Sequence, residues 1–322
     1  MMRECSQAPL VQCPVGFCCS KYGFCGKGES FCKVDCLFQC DGHPEASRKS
    51  APPVGTFISH CSIPGTVAMS FVDGPHALTE QLLDTLKAKG LRVTFFVIGN
   101  ALENPDLKSI VKRAYDEGHH IGSHTYNHID TTLKTIPENE VREDLIKAEE
   151  VIYDAIGKRV RYFRPPSGSN NPAQLKLLKG LGYQTVFWNM DTEDWLHQSP
   201  DHVRSVYAKS LQHIDPTKHQ ILSLHHDDHY ASIIAAPDII KMVEDACYKI
   251  VTIPECLGDK QWYKDENVHA DHQTPSVDAN CTVKYPVLLT DNTTAIEDKS
   301  IAPDIAPTLL LNIVIIGMLL SI

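Results

Sequence analysis

The sequence predicts an α/β fold, a distorted (β/α) barrel of about seven repeats preceded by a small disulfide-rich module. Three observations predict it. Eight of the twelve cysteines fall between Cys5 and Cys40, so the first segment is built differently from the rest. From Thr66 onward, short β-branched runs alternate with helical patterns, which implies right-handed βα units around a mostly parallel sheet. In the clearest helical pattern Val141, Leu145, Ala148, Ile152 and Ile156 step by four and three onto one face.

The elements follow in order. Residues 1–41 hold the cysteine-rich module, and the polar, Pro-containing, aperiodic stretch 42–56 reads as a linker. Residues 57–260 form the repeat domain. Its strands are expected at Thr66–Phe71, Leu91–Ile98, His120–Ser123, Arg161–Arg164, Thr185–Asn189, Ile221–His225 and Ile250–Ile253. Helices are expected at Leu78–Lys89, Asp106–Glu117, Glu138–Ile156, Pro172–Leu181, Pro200–His213 and Pro237–Lys249, three of them opened by a proline suited to a first helical position. Periodicity fades after Lys264, so residues 261–304 read as a polar stalk and 305–322 as an apolar tail.

Composition narrows the function classes. The chain has 322 residues, 43% hydrophobic and 22% charged, which excludes a wholly disordered or fibrous protein. A net charge of -10 without clustered Lys and Arg argues against a nucleic-acid partner, and no protein partner is implied. Eight cysteines within 36 residues are too dense for a reducing compartment unless they bind metal. Zinc knuckles need paired C-x2-C spacing, whereas the gaps here are seven, four, none, five, six, three and three, so an extracellular disulfide framework is expected.

An exported chain needs a signal, yet Met1–Leu10 lacks an apolar core, so the native amino terminus is expected upstream. The fourteen residues Leu309–Ile322 are almost wholly apolar and follow a polar stretch, as in a glycosylphosphatidylinositol (GPI) attachment signal with its site between Asn292 and Ser300. A short tail anchor is the alternative. Membrane attachment is expected only through this tail, and sequons at Asn280 and Asn292 fit an exported glycoprotein.

Within the module, Ser20, Tyr22, Phe24 and Phe31 cluster in the text CCSKYGFCGKGESFC. About forty residues offer little core in which to hide rings, and exposed rings with a hydroxyl beside them suit stacking on sugar faces. The eight cysteines with CCSKYGFCG resemble the hevein-type chitin-binding domain. The resemblance implies the bridges Cys5–Cys19, Cys13–Cys25, Cys18–Cys32 and Cys36–Cys40, and a sugar-binding face of Ser20, Tyr22, Phe24 and Phe31. Tyr and Phe stand where that family often has tryptophan, which weakens stacking.

The chemistry lies at strand ends. Asp73 follows the first strand, His124 and His128 follow His120–Ser123, and His225-His226-Asp227 closes Ile221–His225. Two histidines four apart with one carboxylate make a facial three-ligand set, for which zinc is the commonest metal. An isolated H-x3-H is weak among sixteen histidines, and His60, His119, His120 and His229 are read as structural. The order SFVDGP, SHTYNH, FRPPSG, DTEDW and LHHD is more specific. Together these texts resemble the five motifs of the polysaccharide deacetylase family, the NodB homology domain of carbohydrate esterase family four, over roughly Thr66–Pro254. The text IPECLGDKQWY is similar to fungal chitin deacetylases.

The resemblance implies one divalent metal, zinc or else cobalt, on Asp73, His124 and His128, and chitin or chitin oligomers as substrate. It implies an orienting arginine at Arg164, a pocket tryptophan at Trp195, and a histidine acid at His226, with His225 as rival. Asp191, at the end of an apolar strand, is preferred over Asp194 as the carboxylate that tunes this acid. Cys61–Cys256 would clasp the domain ends, while Cys247 and Cys281 are left open between a bridge and free thiols. Two positions depart from the family. Val72 stands where the general-base aspartate is expected, leaving Arg164 without its partner, and Ser167 replaces a frequent tyrosine. The expectation is a secreted, wall-attached or lipid-anchored chitin deacetylase. The alternative is an impaired pseudo-deacetylase that binds chitin to mask or sense it.

Overall fold

A computed structural model describes residues 18–20, 25–27, 36–38, 54–55, 57–212, 214–266, 281 and 283. In the amino-terminal module, β1 (Cys18–Ser20) pairs antiparallel with β2 (Cys25–Gly26) and β3 (Cys36–Phe38). Cys18 is buried and disulfide-bonded. The side chains of Ser20, Tyr22, Phe24 and Phe31, the four expected module bridges and the 305–322 tail lie outside the described residues. Among those described, no helix is long and apolar enough to cross a membrane.

The second sheet has ten strands, all of whose pairings are parallel. They are β4 (Phe57–Ile58), β5 (Thr66–Ala68), β6 (Ser70–Val72), β7 (Thr94–Val97), β8 (His120–Ser123), β9 (Tyr162–Phe163), β10 (Gln184–Val186), β11 (Met190–Asp191), β12 (Ile221–His226) and β13 (Lys249–Val251). The order is β13-β5-β12-β6-β7-β8-β9-β10-β4, with β11 on β12. β4 and β13 are the ends of that path, while β11, which follows β10 in the chain, pairs with β12, so the chain from Gln184 to Asp191 links the β9 side of the sheet back to β12. The Cys61–Cys256 disulfide joins segments just beyond β4 and β13, and Ser62 and Ile63 donate backbone N–H groups to the Cys256 carbonyl.

Helices cover the sheet: α1 (Ala77–Lys89), α2 (Pro105–Asp116), α3 (Glu138–Ile156), α4 (Pro172–Gly180), α5 (Pro200–Gln212), α6 (Tyr230–Asp245) and α7 (Ile253–Leu257). The α3 face Val141, Leu145, Ala148 and Ile152 is fully buried, as its spacing predicts. Helix α6 departs from expectation. It begins at Tyr230, seven residues before Pro237, which lies inside it. Burial of Ala231, Ile233, Ala235, Ala236, Ile239 and Ile240 outweighs the hydrogen bond the proline removes.

Three further differences have physical causes. The strand expected over Thr66–Phe71 is broken at Met69, because β5 pairs with β13 and β12 while β6 pairs with β12 and β7. Strand β4, only two residues long, carries no periodic signal. The packed domain runs past residue 260. Trp262 and Tyr263 are buried, Tyr263 bridges Val160, and a buried Arg161–Asp259 ion pair at 2.8 Å holds the segment with a hydrogen bond from Tyr162. Cys247 is bonded to Cys281, so residues expected to form a stalk are tied back to the end of α6.

Opening the 195-residue Cys61–Cys256 loop should cost about 2–5 kcal/mol, because the bond constrains a long stretch of unfolded chain. Chemical denaturation of the Cys61→Ala/Cys256→Ala variant checks this, and a midpoint equal to the parent's would contradict it.

Candidate active site

Because the strands are parallel, their carboxyl ends lie on one side, and the loops that follow β6, β8, β9, β11 and β12 meet there. They enclose a cavity of about 350 Å³ whose lining includes Val72, Asp73, His124, His128, Arg164, Ser167, Trp188, Asp191, Trp195 and His226. Strain gathers around it. Asp73, Thr125, His128, Ser167 and Glu193 all have φ between 53 and 71°, the left-handed region that non-glycine residues seldom occupy.

Asp73, His124 and His128 converge, their ligand atoms all within 4.8 Å of one another. Asp73 Oδ1 lies 3.1 Å from His124 Nε2 and 3.4 Å from His128 Nε2. The His124 Nδ1–H donates to the Arg164 carbonyl at 2.8 Å, which fixes the tautomer when the ring is neutral. Burial holds His124 below its ordinary pKa, so its Nε2 presents a lone pair to a carboxylate oxygen. Asp73 Oδ1 is buried and has no hydrogen-bond donor. Burial alone would push the Asp73 carboxyl up, but the two imidazoles more than offset it and hold the group well below the usual range. Two imidazole nitrogens around one anionic oxygen without a donor of its own fit a divalent cation.

Neighbouring groups set this geometry. Asp144 on α3 accepts hydrogen bonds from the Tyr126 and Asn127 backbone N–H groups and from the Asn127 side chain at 2.7–3.1 Å, clamping the loop between the two histidines. Asp227 accepts from Gly74 N–H at 3.0 Å and from Thr79 Oγ1 at 2.6 Å, so the loop after β12 holds the loop that carries Asp73. A Cβ on Gly74 would stand 2.0 Å from Asp227 Oδ2, which is why glycine occupies that position. Neither Asp144 nor Trp188 stands out in the sequence, since a lone aspartate on a helix and a tryptophan after a strand carry no pattern.

His226 opens into the cavity, whereas His225 is buried between Tyr207 and Ser232 and stacked on Phe71. Burial pulls His225 down to about 4. The carboxylate paired with His226 is Asp194 and not Asp191. Asp194 Oδ1 lies 2.6 Å from His226 Nδ1, and Oδ2 accepts the His226 backbone N–H at 2.8 Å. Strand β11 ends at Asp191, and the left-handed Glu193 then reverses the chain and turns Asp194 back onto β12. Asp191 lines the cavity, and its Oδ1 accepts the Glu193 N–H. Burial lowers the His226 pKa, but the Asp194 hydrogen bond and charge outweigh it and leave the imidazole above its ordinary value.

Arg164 is fully buried, and its Nε and Nη2 donate to the carbonyls of Val186 and Phe187. Its Nη1 has no partner, and desolvation, opposed by Asp191, takes the guanidinium down to about 9. Val72 is 3% exposed and packs among Phe96, Leu224 and Tyr162. An apolar side chain therefore borders the cavity close to a cation short of a partner. Trp195 is half exposed at the mouth, and Trp188 packs over Gly168, where a Cβ would stand 2.7 Å from the indole.

Removing the Asp144 clamp should loosen His124 and His128 without touching them. Asp144→Ala is expected to weaken divalent-cation binding at these residues about 10–100-fold, measured with zinc as the probe by competition with a chromogenic chelator, and unchanged affinity would contradict the role.

The chitin recognition protein family matches residues 4–40, and the polysaccharide deacetylase family matches residues 60–186. A chitin deacetylase from Pestalotiopsis sp is 36% identical over 225 residues, 69% of this chain and 74% of that protein. One from Colletotrichum lindemuthianum is 35% identical over 223 residues, 66% of this chain and 88% of that protein. The structure of the chitin deacetylase from the fungal pathogen Colletotrichum lindemuthianum superposes with a TM-score of 0.63 at 33% identity, covering 68% of this chain and 100% of that one. With the fold, the convergent strand-end residues and these similarities, the chain belongs to the polysaccharide deacetylase family.

Proposed function

We propose that the chain hydrolyses the acetamide of N-acetylglucosamine units in chitin, releasing acetate, and that it does so slowly because position 72 is valine. The observation that carries the reading is the meeting, in one cavity, of Asp73, His124 and His128 with the Asp194-paired His226. The chitin recognition match over residues 4–40 supports chitin as the polymer held, with Ser20, Tyr22, Phe24 and Phe31 as its sugar-stacking face. We place the protein outside the cell at a chitin-bearing wall. The dense amino-terminal cysteines support this, and the 305–322 tail serves as a lipid-attachment signal or short anchor.

Asp73, His124 and His128 would hold the divalent cation, zinc by the chemistry of a set of two histidines and one carboxylate. Bound there, it supplies Lewis acidity toward the acetamide carbonyl and makes water a better nucleophile. The chain's own groups do the rest. Asp194 accepts the His226 Nδ1–H and favours the imidazolium, whose Nε2–H protonates the departing sugar amine. Leu224, Val72, Trp188 and Trp195 give the cavity apolar surface suited to an acetyl methyl. At position 72 nothing can take the proton lost by attacking water, and a missing general base costs about 10²–10⁴ in rate. A second reading rests on that same valine: a chitin-binding protein with a metal centre and no turnover.

Acetate release from chitin oligomers by the zinc-loaded protein separates the two. Slow release supports the deacetylase, and no acetate from a protein that still binds zinc selects the second reading. Val72→Asp, which places a carboxylate in the cavity wall, is expected to raise kcat by about 10²–10⁴. In that faster background, Asp194→Asn should move the alkaline limb of the pH–rate profile to lower pH. The carboxylate raises the His226 pKa, so its loss deprotonates the acid sooner as pH rises. An unmoved alkaline limb would remove His226 from the acid role.

A further inference from the structure

We propose that Glu193, His197 and His202 form a second divalent-cation site, separate from Asp73, His124 and His128, that braces the segment between β11 and α5. One ligand atom from each of the three lies within 4.8 Å of the others. Both imidazoles aim at the same carboxylate oxygen: His202 Nε2 is 3.2 Å from Glu193 Oε2, and His197 Nε2 is 3.9 Å from it. The two rings lie 4.1 Å apart between centroids. A carboxylate can pair with one protonated histidine, but two cationic rings at that separation would repel each other. Two imidazole nitrogens aimed at one carboxylate oxygen match a set of two histidines and one carboxylate with positions left for water.

A second observation points the same way. His202 Nε2 is buried and has no hydrogen-bond partner, although the side chain keeps 27% of its surface. An imidazole nitrogen turned inward toward a carboxylate without completing a hydrogen bond is available as a ligand. The backbone already holds the donors in place. His197 and Leu196 N–H groups donate to the Glu193 carbonyl, which puts Glu193 and His197 one turn apart on the same side. Ser199 Oγ accepts from His202 N–H at the start of α5. The left-handed φ of Glu193 starts this turn.

The location gives such a site a consequence. The same turn carries Asp194, which holds His226, and Trp195 at the cavity mouth. A cation on Glu193, His197 and His202 would cross-link both ends of that turn, fixing Asp194 and Trp195 without contacting substrate.

Bound zinc per chain, measured by equilibrium dialysis of the full chelator-stripped protein at buffered micromolar free zinc, tests this. Wild type is expected to hold two ions, His197→Ala/His202→Ala one, and His124→Ala/His128→Ala one. Glu193→Gln, which leaves both rings in place, should weaken one of the two sites about tenfold or more, as loss of a direct ligand does at least as much as loss of its support. The proposal is overturned if wild type holds a single ion, or if His197→Ala/His202→Ala binds as much as wild type. Glu193, His197 and His202 keep 47%, 48% and 27% of their side-chain surface, so circular dichroism of their variants should show the parent fold, and the zinc count is read only from protein that does.

Discussion

The structure is organised around one electrostatic constraint: the Asp73 carboxylate must sit, partly buried and without a hydrogen-bond donor on Oδ1, against two imidazole nitrogens. Left alone, such an oxygen costs the fold free energy, and the arrangement suits a receptor for positive charge. Much of the surrounding architecture serves to hold that arrangement. Strands β6, β8 and β12 run parallel within one sheet, so the residues that leave their carboxyl ends arrive on the same side. Left-handed backbone at Asp73 and His128 then turns the side chains inward.

Support comes from residues that never reach the cavity's centre. Asp227 grips Gly74 and Thr79, Asp144 grips the Tyr126–Asn127 backbone, and the Arg164 carbonyl orients His124. Each is a hydrogen bond that joins one of the cavity's loops to a segment well separated from it in sequence. The Cys61–Cys256 bond ties the segment after β4 to the segment after β13.

The strand-to-helix grammar was legible because apolar periodicity survives in single sequences, as the buried α3 face illustrates. So were the strand-end residues, since a polar residue after an apolar run is a local signal. What was not legible depends on chain reversal or on contacts across the fold. Its place at a strand end favours Asp191 over Asp194 in the sequence, whereas the left-handed turn at Glu193 brings Asp194 to His226. The early start of α6 was hidden by Pro237, because tertiary burial overrode a local breaker. Asp144 lies on a helix whose charges look like any solvated face, and the Glu193, His197 and His202 cluster brings together positions four and five residues apart that no single motif joins.

Val72 and Arg164 share the lining of the cavity. The Arg164 Nη1 is buried without a hydrogen-bond partner, a costly arrangement, in a cavity whose lining also holds Val72 and the three-donor centre of Asp73, His124 and His128. Everything proposed for the cavity therefore stands on that centre. Anomalous diffraction at the zinc edge from crystals of the full zinc-soaked chain tests it most directly. A strong peak bounded by Asp73, His124 and His128 is the predicted result, and an empty map there with zinc present in the crystal would contradict it.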